Sequence, residues 1–333
     1  MDREALQKKL ESAVSARAEL IDERHESAFR LFNGFYEGEP ELLLDIYART
    51  LVIYNYADPP ADGLPAVEAA RIFQRSSLPW LRTVILKTRN SSNPNECRGL
   101  LIEGEAPDTK IREHGIWYAL DLTMNQDASL YLDTRNLRKW VSDNLSGGTV
   151  LNTFAYTGSL GVAAMGGGAQ RVVHLDLSRK FLNLAKTSYT LNGFPIVKSD
   201  FLSVDFFPET ARLKRAGALF DCVFLDPPFF STTGQGTLEL AADSKRLINK
   251  VRPLIADGGR LVTVNNALFL SGRDYMSVLE ELCSDGYLRV ESLIPVPEDF
   301  TGYPETRVGE YVTDPAPFNH PTKIAILKVR RKG

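Results

Sequence analysis

The sequence predicts an α/β fold: an open, mostly parallel sheet whose last strand is antiparallel, preceded by a smaller α+β module. Three observations predict it. From Val150 onward, strand-like apolar runs alternate strictly with helix-like periods, the rhythm of successive β-α units in a parallel sheet. Two of those runs end in unusual chemistry: Val150–Gly158, reading V-L-N-T-F-A-Y-T-G, and Cys222–Leu225, which leads into Asp226-Pro227-Pro228-Phe229. Ligands of open α/β sheets sit at the carboxyl ends of strands, where such endings belong. The chain then closes on two strand-like runs, Leu288–Val296 and Lys323–Val329, with no helical period between them, which predicts antiparallel pairing.

Residues 1–125 are expected to form the α+β module and 126–333 the sheet domain. Over 2–31 apolar residues recur at Leu6, Leu10, Val14, Leu20 and Ile21 between charges, the period of an amphipathic helix. Leu42–Tyr56 reads as two strands around Ala48–Arg49, and Ala57–Pro65, with three prolines and a glycine, as a loop. Ala66–Arg75 is helical in pattern, and Leu81–Thr88, Cys97–Glu103 and Gly115–Thr123 are strands. In the second part, strand Val150–Phe154 leads to helix Ser159–Met165, and strand Arg171–Leu175 to helix Arg179–Leu191, capped by Ser178 and stopped by Gly193. Ile196–Lys198 is a short strand before helix Phe207–Ala216. Cys222–Leu225 is a strand before helix Ala242–Ile255, and Gly259–Val264 one before helix Asp274–Ser284.

Bulk properties exclude several function classes. The 333 residues are 44% hydrophobic and 24% charged, an ordinary globular composition with room for two domains. No apolar run approaches the ~20 residues that span a bilayer, and the charged start M-D-R-E-A-L has no apolar signal core. Three widely spaced cysteines, Cys97, Cys222 and Cys283, indicate neither a disulfide framework nor a zinc site, so a reducing, cytoplasmic setting and no metal are expected. A net charge of −3 removes the argument for a protein that coats nucleic acid. A local basic face remains open; its candidates are Arg71, Arg75, Arg82, Lys87, Arg89 and Arg98, interleaved with Phe73 and Trp80.

The strand ends carry the chemistry. A glycine at the Tyr156-Thr157-Gly158 turn lets backbone approach a ligand, and the helix that follows offers unpaired N–H groups. Asp176 ends the next strand, 18 residues beyond Gly158, where a carboxylate can bond a ribose hydroxyl pair; capping the following helix is its alternative. Asp200 repeats the arrangement and could accept from an adenine amine, or be a surface loop residue. In Asp226-Pro227-Pro228-Phe229 two prolines fix a rigid turn. With Asp226 it presents acceptors and no donors toward a planar nitrogen group, while Phe229 offers a stacking face. A dinucleotide fingerprint G-x-G-x-x-G is absent: Gly158-Ser159-Leu160-Gly161 has the wrong spacing, and Gly166-Gly167-Gly168 ends a helix.

Together L-N-T-F-A-Y-T-G, H-L-D-L-S and F-L-D-P-P-F-F resemble the class I S-adenosylmethionine-dependent methyltransferases, with their Rossmann-like sheet. The likeness is to the bacterial large-subunit rRNA methyltransferase family of cytosine-C5 and guanine-N7 enzymes, and H-G-I-W-Y-A-L-D-L…S-L-Y-L-D-T-R, His114–Arg135, is similar to that family's lead-in. The resemblance implies S-adenosylmethionine as cofactor and a base in RNA as substrate. It implies that Tyr131, Asp133 and Arg135 contact the cofactor, that Phe154, Ala155, Tyr156, Thr157 and Gly158 hold its methionine end, and that Asp176, Leu177 and Ser178 hold its ribose. Asp200 and Phe201 would meet its adenine, and Asp226 and Pro227, with Pro228 and Phe229, would lie at the methyl group. The C5 members carry a cysteine after the fifth strand; here Val262-Thr263-Val264-Asn265-Asn266 stands, similar to the S-N-N phrase of the guanine-N7 branch. Asn265 is therefore a candidate catalytic residue, a plain strand-end turn being the alternative. The chain departs from the family in lacking the usual N-terminal RNA-binding domain and the lysine that often follows the D-P-P motif. Methylation of a protein side chain or small molecule, or a non-catalytic cofactor-binding scaffold, are the alternative functions.

Overall fold

A computed structural model describes residues 2–228, 230–233 and 236–331. The chain divides into two compact units, Met1–Leu132 with Pro297–Glu310, and Asp133–Val296 with Tyr311–Gly333. The division falls seven residues beyond the expected boundary at 125, and the return of Pro297–Glu310 to the first unit was not legible in the sequence.

The first unit holds helices α1 (Arg3–Ala16), α2 (Gly34–Glu37), α3 (Leu64–Ser77) and α4 (Pro94–Arg98) with strands β1 (Ala28–Asn33), β2 (Leu42–Tyr47), β3 (Thr50–Asn55), β4 (Thr83–Thr88) and β5 (Leu100–Glu103). These strands form one sheet in chain order, antiparallel except for β3 against β4, the pair that α3 connects. A hairpin, β6 (Lys110–Glu113) and β7 (Ile116–Ala119), forms a separate two-stranded sheet of this unit. Leu6, Leu10 and Ala13 of α1 meet Val67, Ala70 and Phe73 of α3 in one apolar core over the sheet. The helix expected over 2–31 is shorter than its period, because Ala28–Asn33 is a buried strand. The returning segment includes α11 (Glu298–Thr301). It is held by polar contacts: Asp299 accepts from the Arg30 N–H at 2.9 Å, and Asn33 donates to the Phe300 carbonyl at 2.7 Å. Beneath it the buried Arg17 and Glu37 form a two-pronged ion pair at 2.9 and 3.0 Å.

The second unit has helices α5 (Arg135–Asn144), α6 (Ser159–Gly166), α7 (Arg179–Asn192), α8 (Phe206–Arg215), α9 (Leu240–Val251) and α10 (Gly272–Cys283). Its strands are β8 (Thr149–Thr153), β9 (Arg171–Asp176), β10 (Phe201–Ser203), β11 (Phe220–Leu225), β14 (Ile255–Asn265), β15 (Leu288–Leu293) and β16 (Lys323–Val329). A separate hairpin, β12 (Phe230–Thr233) and β13 (Gly236–Glu239), follows β11. The seven-stranded sheet runs β10-β9-β8-β11-β14-β16-β15, and β16 alone runs opposite to the other six strands. The expected α/β sheet with its last strand antiparallel is thus present, and β16 lies between β14 and β15 instead of at the edge.

One face of that sheet, with Leu151, Leu175, Val223 and Leu261, packs on α8, α9 and α10 through Phe207, Leu213, Leu247 and Leu279. The other face is partly polar. His174 of β9 is fully buried, its Nδ1 3.3 Å from the Asn152 amide and its Nε2 2.9 Å from the Tyr189 hydroxyl. Burial pushes its pKa down to about 3, so the imidazole is neutral. Gly161 of α6 allows the helix to lie on it: a Cβ there would sit 2.3 Å from His174 Cε1 and 2.9 Å from Val172 Cγ1. Since His174 is pinned from both sides, Gly161→Ala should destabilise the protein by about 1–3 kcal/mol. That is a fall in melting temperature of several degrees. A variant melting with the wild type would disprove this account of the packing.

Candidate active site

The strand order places the functional residues. From β8 the chain proceeds outward through β9 and β10, then crosses to the other side through β11 and β14. Connections therefore leave β8 and β11 in opposite directions, and a crevice opens at their carboxyl ends. Three segments with special chemistry reach that edge: the turn after β8, Asp176 at the end of β9, and Asp226 just beyond β11.

The β8 turn is held in an unusual conformation. Phe154, Tyr156 and Gly158 have φ of 52°, 50° and 78°, a region that non-glycine residues rarely adopt. Its stabilisation comes from the neighbouring strand. The Ala155 N–H donates to the Leu175 carbonyl at 2.9 Å and the Gly158 N–H to the Ala155 carbonyl at 2.7 Å. Asp176 receives the Tyr156 N–H on one carboxylate oxygen and the Ser178 N–H on the other, both at 2.8 Å. Burial raises the Asp176 pKa, and these two N–H groups oppose the rise. Phe154 stacks on Phe206 at 4.6 Å, and Tyr156 meets the edge of Phe181 at 4.6 Å. Thr157 is buried, Leu177 is 60% exposed beside Asp176, and the Ser178 hydroxyl caps α7 through the Phe181 N–H. At Gly158 a Cβ would lie 2.6 Å from the Ala185 Cβ, so glycine is required by packing as well as by φ.

Asp226 is half-buried, followed by the buried Pro227 and the exposed Pro228. Burial, together with the like charge of Asp133, pushes its pKa up to about 7. Asp133 precedes α5, which Arg135 opens, and accepts from the Thr322 hydroxyl at 3.0 Å. The expected stacking residue Phe229 lies outside the described residues. Tyr131 belongs to the first unit, where it is 43% exposed with its hydroxyl 3.4 Å from Asp127.

Three expected site residues, Asp200, Phe201 and Asn265, stand elsewhere than expected. Asp200 does not end a strand: Ile196–Lys198 pairs with no neighbouring strand, and the strand is Phe201–Ser203, paired so that Ser203, not Asp200, is level with Asp176. Asp200 therefore precedes its strand, at the edge away from the crevice. Its carboxylate is held by the Arg171 guanidinium at 2.6–3.2 Å. Phe201 shares that displacement and stacks on His174 at 5.0 Å. The carboxylate at the crevice end of β10 is Asp205, which the sequence reading missed. It caps α8 through the Phe207 N–H at 2.9 Å, and an Asp directly before a helical period was its signal. Asn265 is the third. It is fully buried, its amide donates to the Ser244 hydroxyl at 3.1 Å, and its oxygen accepts the Ala267 N–H at 3.0 Å. The side chain shapes the turn after β14; of the two asparagines Asn266 is the exposed one.

Lys323, also missed, supports the same turn. Its buried ammonium donates to the carbonyls of Ala267 (2.9 Å) and Pro321 (2.5 Å), and burial lowers its pKa to about 8. Among the described residues no cluster of His, Cys, Asp and Glu could hold a metal, and no helix is long and apolar enough to cross a membrane.

The edge suits a nucleoside-bearing cofactor. Asp176 keeps lone pairs for two vicinal hydroxyls, Leu177 offers an apolar surface, and the turn before α6 presents backbone N–H groups to an anion. Comparison with known proteins agrees. A family model described as S-adenosylmethionine-dependent methyltransferase matches residues 66–300. The ribosomal RNA large subunit methyltransferase I of Aeromonas salmonicida (strain A449) is 30% identical over 301 residues, covering 86% of this chain and 72% of that protein. The ribosomal RNA large subunit methyltransferase K of Neisseria meningitidis serogroup B is 35% identical over 196 residues, 58% of this chain and 53% of that one. The crystal structure of SMU.776 complexed with SAH superposes with a TM-score of 0.85 at 21% identity, covering 99% of this chain and 82% of that chain.

Proposed function

The chain belongs to the S-adenosylmethionine-dependent methyltransferase family, and from that membership we propose that it methylates a base in RNA, guanine N7 of large-subunit ribosomal RNA, in the cytoplasm. Bound at the crevice, S-adenosylmethionine supplies an electrophilic methyl group on a sulfonium. Asp176 would hold the ribose hydroxyls with Leu177 beside the base, Asp205 stands where the adenine amine would lie, and the Phe154–Gly158 turn would receive the methionine end. The observation that carries the reading is Asp226-Pro227-Pro228 beside that turn, at the point where the strand order reverses. Its carbonyls and carboxylate accept hydrogen bonds, as the N–H edge of a purine requires. The large-subunit RNA named for the relatives supports the substrate class.

Guanine N7 has a lone pair and no proton, so direct displacement at the methyl group needs orientation alone. Cytosine C5 needs a thiolate that adds to the ring. The two cysteines of the second unit do not supply one: Cys222 is buried inside β11 with its thiol pushed far up by burial, and Cys283 ends α10. Replacing all three by serine or alanine should leave turnover within several-fold of wild type. Mass spectrometry of nucleosides from ribosomal RNA treated with the enzyme and deuteromethyl cofactor should show labelled 7-methylguanosine. Labelled 5-methylcytidine, lost on one cysteine replacement, would overturn the base assignment; label in protein or in no nucleoside would overturn RNA as substrate.

A further inference from the structure

Four of the six basic residues singled out in the sequence are engaged within the fold. Arg71 pairs with Glu68 and Glu103, Arg75 with Glu103, and Arg89 with Asp127, while the buried Lys87 donates to backbone carbonyls of Asn125 and Asp127. A different cluster assembles on the first unit. Arg24, Arg49, Arg82 and Lys110 come from four separate segments to line one concavity of about 350 Å³, with Trp117 in its wall. Among the described residues none of the four has a carboxylate within ion-pair distance. Glu26 and Asp108 also line it, but Asp108 is engaged by the Arg49 N–H and the Thr50 hydroxyl at 2.9 and 2.8 Å, and Glu26 lies 4.0 Å from Arg112.

The concavity is built, not incidental. The loop that carries Arg24 is wound about Asp22, whose carboxylate accepts the N–H groups of Arg24, Glu26 and Ser27 at 2.8–3.2 Å. Between them His25 takes a φ of 53° and lies flat on Trp80, ring centres 4.1 Å apart. Arg49 sits in the β2–β3 turn, after Ala48 at φ 54°, and its backbone carbonyl receives the Arg82 N–H at 2.8 Å. The Lys110 ammonium lies over the Trp117 ring at 4.4 Å. Fixed cations around an aromatic face are the recognition chemistry of a nucleic-acid backbone with a base stacked beside it.

We propose that this concavity of the first unit is a phosphate subsite for the substrate RNA. The assignment rests on RNA being the substrate. It is tested by fluorescence anisotropy of the full chain with a labelled single-stranded RNA of about 20 nucleotides, titrated at several salt concentrations. Arg49→Gln with Lys110→Gln should weaken binding about tenfold or more at ~0.1 M salt and lower the salt slope by about 0.7 per contact removed. Calorimetry with S-adenosylhomocysteine should give unchanged affinity, showing that the second unit is intact. Arg49→Lys with Lys110→Arg, which keeps both charges, should restore most of the salt slope. Equal RNA affinity and slope in wild type and the glutamine pair would overturn the subsite while leaving RNA methylation standing. No RNA binding by the wild type would overturn both. Inorganic phosphate bound at millimolar concentration by the wild type and lost in the glutamine pair, with RNA affinity and slope unchanged, would assign the site to a small phosphate compound and overturn the RNA assignment.

Discussion

Asp226→Asn should lose at least ~100-fold in turnover, the scale that lost positioning of a reacting group commands, while the protein becomes more stable above neutral pH. Both effects follow from one environment. Burial and the Asp133 charge hold the Asp226 pKa at about 7 instead of its ordinary 3.8. The unfolded chain ionises that carboxyl near pH 4, whereas the folded chain keeps its proton to about pH 7. Stability from this group is therefore fully present below the unfolded value and lost as pH rises through the folded one. Asparagine does not titrate, so the variant escapes the loss, and its melting temperature at pH 8 should exceed the wild type's by a few degrees. Turnover of the wild type should rise with pH through a midpoint near 7, since the ionised carboxylate is the stronger acceptor for a base. Asp133→Asn removes the like charge and should move that midpoint down. A flat profile across about pH 6 to 8, or an Asn variant as active as wild type, would remove Asp226 from the chemistry.

The sequence was most legible where period and punctuation agreed. Helix α7 lies between a Ser cap and a Gly193 stop at φ 69°, and the alternation from β8 onward appears in the fold with its antiparallel final strand. It was least legible at the sheet's thin edge. The strand β10 has only three residues, too few to show a period, while the apolar Ile196 and Val197 before it are exposed. That slip moved the acidic candidate from Asp205 to Asp200, across the sheet from the crevice. Helix α5 escaped notice because only Leu137 and Val141 give its buried face an apolar spacing, Arg138 being buried beside them with its guanidinium on the Thr134 hydroxyl at 2.8 Å. Asn265 shows a different limit. Its position after β14 was readable, but whether its amide faces a base or its own turn depends on Ser244, which is 21 residues away in the chain.

The cofactor side of the crevice should fail at Asp176. Its carboxylate has two structural partners, the N–H groups of Tyr156 and Ser178, one on each oxygen, so each oxygen keeps a lone pair for a hydroxyl. The Tyr156 contact opposes the backbone strain of two non-glycine residues at φ near 50°, a strain of order 1–3 kcal/mol each. Asp176→Ala removes the acceptor and releases the turn together. A charge-assisted hydrogen bond contributes about 1.5–3 kcal/mol, so losing the ribose contacts and the turn's order should weaken S-adenosylhomocysteine binding by ~100-fold or more. Asp176→Asn separates the two roles. Its oxygen can replace one accepted bond, but its NH₂ group faces a second N–H that it cannot accept. Affinity should therefore fall between the alanine variant and the wild type, with thermal stability recovering further than binding does. Calorimetry and melting curves on the three proteins decide it. Alanine binding S-adenosylhomocysteine within several-fold of wild type would mean that Asp176 serves only to cap α7, with no part in holding the cofactor.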